Sequence, residues 1–344
     1  FARDSAEIMA AAGVRVELFE EMVPTPLLAF AVKNRNASAG VMVTASHNPP
    51  RDNGYKVYLG GSNGGGQIIS PTDSEISAKI HQVAQTRTFH EIPKSSNYET
   101  IGKSVIDDYV SQTSEFLKRD FLFAEPVDSQ KPALTVVYSA MHGVGRKVLQ
   151  QLFQATGLPE PILVEEQSEP DGNFPTLVFP NPEEPGALDL SFARAERAVA
   201  DLIIANDPDA DRLAIAIPED GRWRRLTGDE LGLLLGAEVA ERAAQTGRRG
   251  TLACSIVSGS ALAAVAKQNG LDYRETLTGF KWISKVPNLS FGYEEALGYC
   301  IDPTFTPDKD GISAALAIAE LAATLKAVGM DLLDLLRGLA KRYG

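Results

Sequence analysis

The sequence predicts an α/β protein built from three successive units, and three observations carry that prediction. Apolar runs suited to strands alternate with segments of helical apolar spacing, as where "ALTVVYSA" precedes "GVGRKVLQQLFQATG". Capping residues and glycines mark where the helices start and stop. The 344 residues also exceed what one hydrophobic core usually serves.

In order, "FARDSAEIMAAAG" has helical spacing closed by Gly13, "VRVELFE" alternates as a strand, and "TPLLAFAVKN" is a second helix. "GVMVTA" reads as a buried strand. "NGYKVYL" and "QIIS" read as two strands joined by a flexible glycine turn, "GGSNGGG". "TDSE" has the form of a capping box opening a helix, and "SVIDDYVSQTSEFLKRDFL" is a long helix. The Pro, Asp and Ser cluster "AEPVDSQKP" marks a domain boundary, so the expected domains are 1–126, 127–224 and 225–344. The second contains "ALTVVYSA", "GVGRKVLQQLFQATG", "PILVEE", "LDLSFARAERAVA" and the apolar strands flanking "NDPDADR". The third opens with a second capping box, "TGDE". It continues through "GTLACSIV", "SALAAVAKQNG" and "DYRETLTGF" to an alanine-rich buried helix, with "EEA" read from its residues alone as a helix start.

Composition narrows the function. With 44% hydrophobic and 23% charged residues the chain is an ordinary globular protein. Its net charge of −12 argues against nucleic acid, which needs a basic face. Neither a signal peptide nor a transmembrane span is expected. Cys254 and Cys300 stand far apart and out of metal-ligand spacing, which fits a reducing, cytoplasmic compartment. The chain begins inside a helical pattern without methionine, so a piece of something longer is expected.

"NDPDADR" is the sharpest chemical signal. Asp207, Asp209 and Asp211 alternate in one loop and repel one another unless a cation sits among them, and oxygen-only ligands suit Mg²⁺ or Ca²⁺. An EF-hand fails, because Arg212 occupies the glycine position and Pro218 the glutamate position. Arg212 beside the carboxylates points to phosphate. In "TASHNPP", Ser46 sits in a loop stiffened by Pro49 and Pro50. No GxSxG elbow surrounds it. On extended backbone its neighbour His47 would point to the opposite side, so a hydrolase triad is not expected. A serine in a rigid loop can instead carry a phosphoryl group.

"TASHNPP", "NGYKVY", "SAMHGVG", "FPNPEEP", "NDPDADR", "TGFKWI", "GYEEALGY" and "DKDG" follow one another as in the α-D-phosphohexomutases, the phosphoglucomutases and phosphomannomutases, and the chain resembles that family over essentially its whole length. The resemblance implies three related α/β domains around a central cleft. It also implies that the front of the first domain and the family's fourth domain lie outside this chain. By motif, Ser46 resembles the phosphorylated serine. Asp207, Asp209 and Asp211, with a phosphoserine oxygen on Ser46, resemble the Mg²⁺ ligands. Lys56, with His47 nearby, resembles the general acid/base, a role for which a lowered lysine pKa is expected. Thr278, Gly279 and Lys281 match a substrate-facing loop. Glu294 matches the sugar-gripping glutamate, Lys309 a phosphate-contacting lysine, and Arg212 adds fixed positive charge.

The implied activity interconverts sugar 1-phosphate and 6-phosphate through phosphoserine, with a sugar 1,6-bisphosphate as intermediate and activator. The partner is a phosphorylated sugar, with no nucleic acid or membrane, and the protein is expected as a monomer or weak dimer. Ala296 replaces the serine many members carry in the sugar loop, a departure shared with a subgroup that includes the mammalian-type phosphopentomutases. Glucose, mannose, glucosamine and pentose phosphates therefore stay open, with phosphopentomutase or a non-catalytic sugar-phosphate binder as alternatives. A phosphatase-like hydrolase is the competing class, distinguished by phosphate release.

Overall fold

A computed structural model describes residues 1–121 and 133–343. The boundary expected at "AEPVDSQKP" lies outside the described residues. The first unit runs α1 (Ala2–Ala11), β1 (Glu17–Phe19), α2 (Thr25–Asn34), β2 (Ala39–Val43), β3 (Tyr55–Leu59), α3 (Thr72–Thr86) and β4 (Glu99–Ile101). Its strands form two separate pairs, β1 with β4 in parallel and β2 with β3 antiparallel. β2 is half-buried rather than buried, because as one strand of a lone pair it is covered chiefly by α2. The residues after the glycine turn form no second strand. Gln67 makes one isolated bridge to Tyr58. The turn itself is docked, with Lys285 Nζ of the third unit donating to the Asn63 carbonyl at 2.8 Å. "TDSE" makes no capping box, since Thr72 is already helical behind Pro71.

Helix α4 (Lys103–Asp120) leads to the second unit. This is β5 (Val136–Ser139), α5 (Arg146–Thr156), β6 (Ile162–Leu163), α6 (Asp189–Ala198), β7 (Leu202–Asn206), β8 (Leu213–Glu219) and β9 (Arg222–Arg225). They build a sheet in the order β6-β5-β7-β8-β9, parallel on the β6-β5-β7 side and antiparallel from β7 to β9. All five residues of β7 are buried, as its unbroken "LIIA" requires of a central strand.

The third unit is α7 (Gly228–Thr246), β10 (Thr251–Ser255), α8 (Ala261–Gln268), β11 (Asp272–Thr276), α9 (Phe280–Ile283), β12 (Leu289–Glu294), β13 (Gly298–Cys300), α10 (Gly311–Ala327) and α11 (Leu332–Tyr343). The sheet order is β11-β10-β12-β13. Here the second capping box forms, with Thr227 and Glu230 satisfying each other's backbone N–H groups. "EEA" is not a helix start. It is the turn of the β12–β13 hairpin, where pairing of Glu294 with Gly298 overrides helical propensity.

One contiguous apolar core joins the units, running from Leu27 and Phe30 through Leu149, Leu213 and Leu234 to Leu339. α10 lies in its middle, buried along nearly its whole length, and its alanines let neighbouring elements approach closely. No single described helix is long and apolar enough to cross a membrane.

Glu320 is the acidic exception on α10. Burial, opposed by Thr156 and Lys118, pushes its carboxyl up from 4.5 to about 7. A carboxyl raised by folding keeps its stabilising contribution below its unfolded pKa and loses it as pH rises through the folded value. Glu320→Gln is therefore expected to melt like the parent at pH 4, below the unfolded value of 4.5. At pH 8 it should be more stable, by about 1–3 kcal/mol. Equal melting temperatures at pH 8 would contradict the assignment.

Candidate active site

Strand β7 ends at Asn206 and β8 begins at Leu213, so "DPDADR" is the connection at the edge of a buried strand pair. The start of α10 clamps the loop. Gly311 at the start of α10 donates to the Ala210 carbonyl at 3.2 Å. A side chain at Gly311 would meet the Arg212 carbonyl oxygen at 2.2 Å, so only glycine permits this approach. Asp207, Asp209 and Asp211 are all buried, and one oxygen from each lies within 4.8 Å of the others.

The Ser46 loop of the first unit meets this triplet directly. Ser46 Oγ donates to Asp207 Oδ2 at 2.7 Å. Ser46 is not extended. It adopts φ +52°, held by its own N–H on Thr44 Oγ1 at 2.9 Å. A non-glycine residue in this region stores local strain, a feature that clusters at functional sites. The turn corrects one expectation, for it brings His47 Nδ1 to 3.2 Å from Ser46 Oγ. A hydrolytic triad still does not form. Its histidine must face serine and carboxylate with opposite nitrogens, whereas here Nδ1 faces both, with Asp207 Oδ2 at 4.0 Å. Burial, then the Arg212 charge, pushes His47 down from 6.5 to about 4, so the ring is neutral at pH 7.

From β3, Lys56 Nζ reaches Asp209 Oδ2 and Asp211 Oδ2, both at 2.8 Å. Lys309 Nζ lies 3.3 Å from Asp211 Oδ2. The lowered pKa expected for Lys56 is not found. Burial would lower it, but the charges of Asp211 and Asp209 outweigh burial and hold it well above the ordinary lysine value. Burial also raises Asp207 well above the carboxylate range, reinforced by its two acidic neighbours. In Asp209 and Asp211 the nearby cations win over burial, and both are held below it.

The residues fit a cation. After these contacts Asp209 Oδ1 and Asp211 Oδ1 remain buried with no hydrogen-bond partner. Bare anionic oxygens away from water are costly, and an all-oxygen set is what a hard divalent ion takes.

The β12–β13 hairpin stands beside the aspartate loop. Arg212 bridges to Gly298, and Leu213 N–H donates to the Leu297 carbonyl at 3.0 Å. Glu294 is 9% exposed and accepts the Gly279 N–H on Oε1 at 2.7 Å. A side chain at Gly298 would strike Lys309 Cδ at 2.4 Å and approach Glu294 Oε2 at 3.5 Å, so lysine and carboxylate flank the same point. Burial raises Glu294, opposed first by the Lys309 charge.

Thus Ser46, His47, Lys56, Asp207, Asp209, Asp211, Arg212, Lys309, Glu294 and Gly279 are linked through successive contacts. Thr278 is exposed, and Lys281 lies over the Trp282 ring at 5.9 Å; among the described residues neither touches the aspartates. Sequence reasoning missed three contributors. Thr25 Oγ1 donates to Asp209 Oδ2 at 2.7 Å, and Tyr58 OH to Asp308 Oδ2 at 2.7 Å beside Lys309. Phe179 of "FPNPEEP" packs edge-on to His47 with centroids 6.3 Å apart. The only local signal for Thr25 was its place between Pro24 and Pro26.

Over its whole length the chain is similar to known proteins. Sequence models of phosphoglucomutase/phosphomannomutase alpha/beta/alpha domains I, II and III match residues 1–87, 107–221 and 227–343. A Haemophilus influenzae protein named "Probable phosphomannomutase" is 50% identical over 345 residues, covering 100% of this chain and 68% of the relative. The phosphopentomutase of Homo sapiens is 40% identical over 364 residues, covering 100% of this chain and 58% of the relative. The solved phosphoglucomutase/phosphomannomutase family protein of Burkholderia thailandensis superposes with a TM-score of 0.75 at 24% identity, covering 96% of this chain and 66% of that one, a likeness of fold. Matched by all three domain models and half identical to a relative of which it spans two thirds, this chain belongs to the phosphoglucomutase/phosphomannomutase family.

Proposed function

We propose that this chain carries the phosphoryl-transfer centre of a sugar-phosphate mutase. The observation that carries the reading is the 2.7 Å contact of Ser46 Oγ with Asp207, made without a triad histidine. In the proposed cycle the bond between phosphorus and Ser46 Oγ breaks as a sugar hydroxyl oxygen bonds to phosphorus. The resulting sugar 1,6-bisphosphate turns over in the cleft, and its other phosphate returns to Ser46. Mg²⁺, held by Asp207, Asp209, Asp211 and a phosphoryl oxygen on Ser46, would neutralise charge on the transferring group when bound.

The chain's own groups handle protons and charge. The proton lost by the attacking sugar hydroxyl ends on Ser46 Oγ as the phosphoryl group leaves, relayed by neutral His47, whose Nδ1 is within reach of Oγ; the return step runs the same relay backwards. Lys56, kept charged by its two carboxylates, acts as a donor toward the sugar oxygen. Arg212 and Lys309 supply further positive charge, and Glu294 grips sugar hydroxyls, with Thr278, Gly279 and Lys281 on the neighbouring substrate loop. The proposed domain division remains 1–126, 127–224 and 225–344.

Hexose phosphates, glucose or mannose, are the first reading of the substrate. Pentose phosphate is the second, favoured by Ala296 and by the 40% identity to the human phosphopentomutase. The cysteines stay buried and free, as a reducing cytoplasm would keep them. Glucose 1-phosphate, mannose 1-phosphate and ribose 1-phosphate, each with catalytic bisphosphate, should separate the readings. Isomer formation without release of inorganic phosphate is the expected result. Stoichiometric phosphate release would replace the mutase with a hydrolase, and binding without turnover would leave a sugar-phosphate binder.

A further inference from the structure

Thr25 opens α2 in the first unit, between two prolines, and is 0% exposed. It contacts Asp209 of the second unit twice. Its N–H donates to the Asp209 carbonyl at 2.9 Å, and its Oγ1 donates to Asp209 Oδ2 at 2.7 Å. Lys56 Nζ takes the same Oδ2 at 2.8 Å, while Oδ1 is buried with no partner. The two donors thus fill one oxygen and leave the other bare. A turn of the carboxylate about its Cβ–Cγ bond would exchange the two oxygens. Lys56 alone does not prevent this, because its long flexible stem also serves Asp211. Thr25 is β-branched, stiff at χ1 and set at a proline-flanked helix start, so its hydroxyl is a fixed donor.

We infer that Thr25 is a positioning residue for the cation. By holding Asp209 Oδ2 from another unit, it selects Oδ1 as the oxygen offered to the metal. The inference rests on the metal reading of the aspartate triplet. Groups that orient metal ligands typically change metal affinity by about 10–100-fold when lost.

Isothermal titration of the whole protein with Mg²⁺, without sugar, tests this. Thr25→Val keeps the shape and removes the donor, and should weaken Mg²⁺ binding by at least about tenfold. Thr25→Ser keeps the donor and should stay within about threefold of the parent. A merely structural threonine would instead show lowered melting temperatures with Mg²⁺ affinity unmoved. Should Thr25→Val fail to fold, Thr25→Cys offers a weaker donor of similar size and carries the same expectation. Parent-like Mg²⁺ affinity in the folded variant overturns the inference and leaves the metal site standing. No Mg²⁺ binding by the parent overturns the metal reading and this inference with it.

Discussion

Ser46→Ala is expected to lose mutase activity by at least about four orders of magnitude, the scale seen when a covalent carrier is removed. The reason is geometric. No other hydroxyl contacts Asp207 as Ser46 Oγ does at 2.7 Å among the described residues, and the strained Ser46 conformation aims it there. The variant should fold, because alanine keeps the backbone and the Ser46 N–H bond to Thr44 uses no serine side-chain atom. Incubation with sugar bisphosphate should add one phosphoryl group to the parent and none to Ser46→Ala, read by intact mass. Turnover within tenfold of the parent would remove Ser46 from the mechanism.

Asp211→Ala should have the largest effect on stability, a loss on the order of 3–5 kcal/mol. Asp211 accepts Lys56 at 2.8 Å and lies 3.3 Å from Lys309, and both lysines are largely buried. Truncation leaves two cations competing for Asp209 and Asp308 in a poorly hydrated site. The same change removes one cation ligand, so Mg²⁺ binding should fall below detection. Adding Lys309→Met to Asp211→Ala should recover part of the lost stability, because the excess charge goes with the lysine. An Asp211→Ala protein that melts with the parent would show that the lysines are solvated and the cluster loose.

Much of this site was legible because its chemistry is written in short motifs. Three alternating aspartates between apolar strands give a burial that only cations can relieve, and the prolines after Ser46 announce a stiff loop. What was not legible depends on backbone angles and on partners far along the chain. The left-handed turn at Ser46 reversed the expected direction of His47. The partners of Lys56 come from more than 150 positions away and turned an expected fall in pKa into a rise. Local signals failed where tertiary pairing competed with propensity, as in "EEA". The two capping boxes part company for a local reason. Thr227 sits outside its helix with extended backbone, while Thr72 is already inside. The alternation of strands and helices survived because it reflects burial summed over many residues.

The tripeptide before α10 has a consequence for how the chain comes apart. Asp308 holds Tyr58 of the first unit, Lys309 reaches Asp211 of the second, and Asp310 caps α10 while receiving Tyr109 of α4. The helix that follows is buried in a core common to all three units. Opening any one unit therefore breaks contacts belonging to the others and exposes apolar surface on both sides of α10. A single calorimetric transition is therefore expected, with the three units as divisions of topology that melt together; two or more resolved transitions would contradict this.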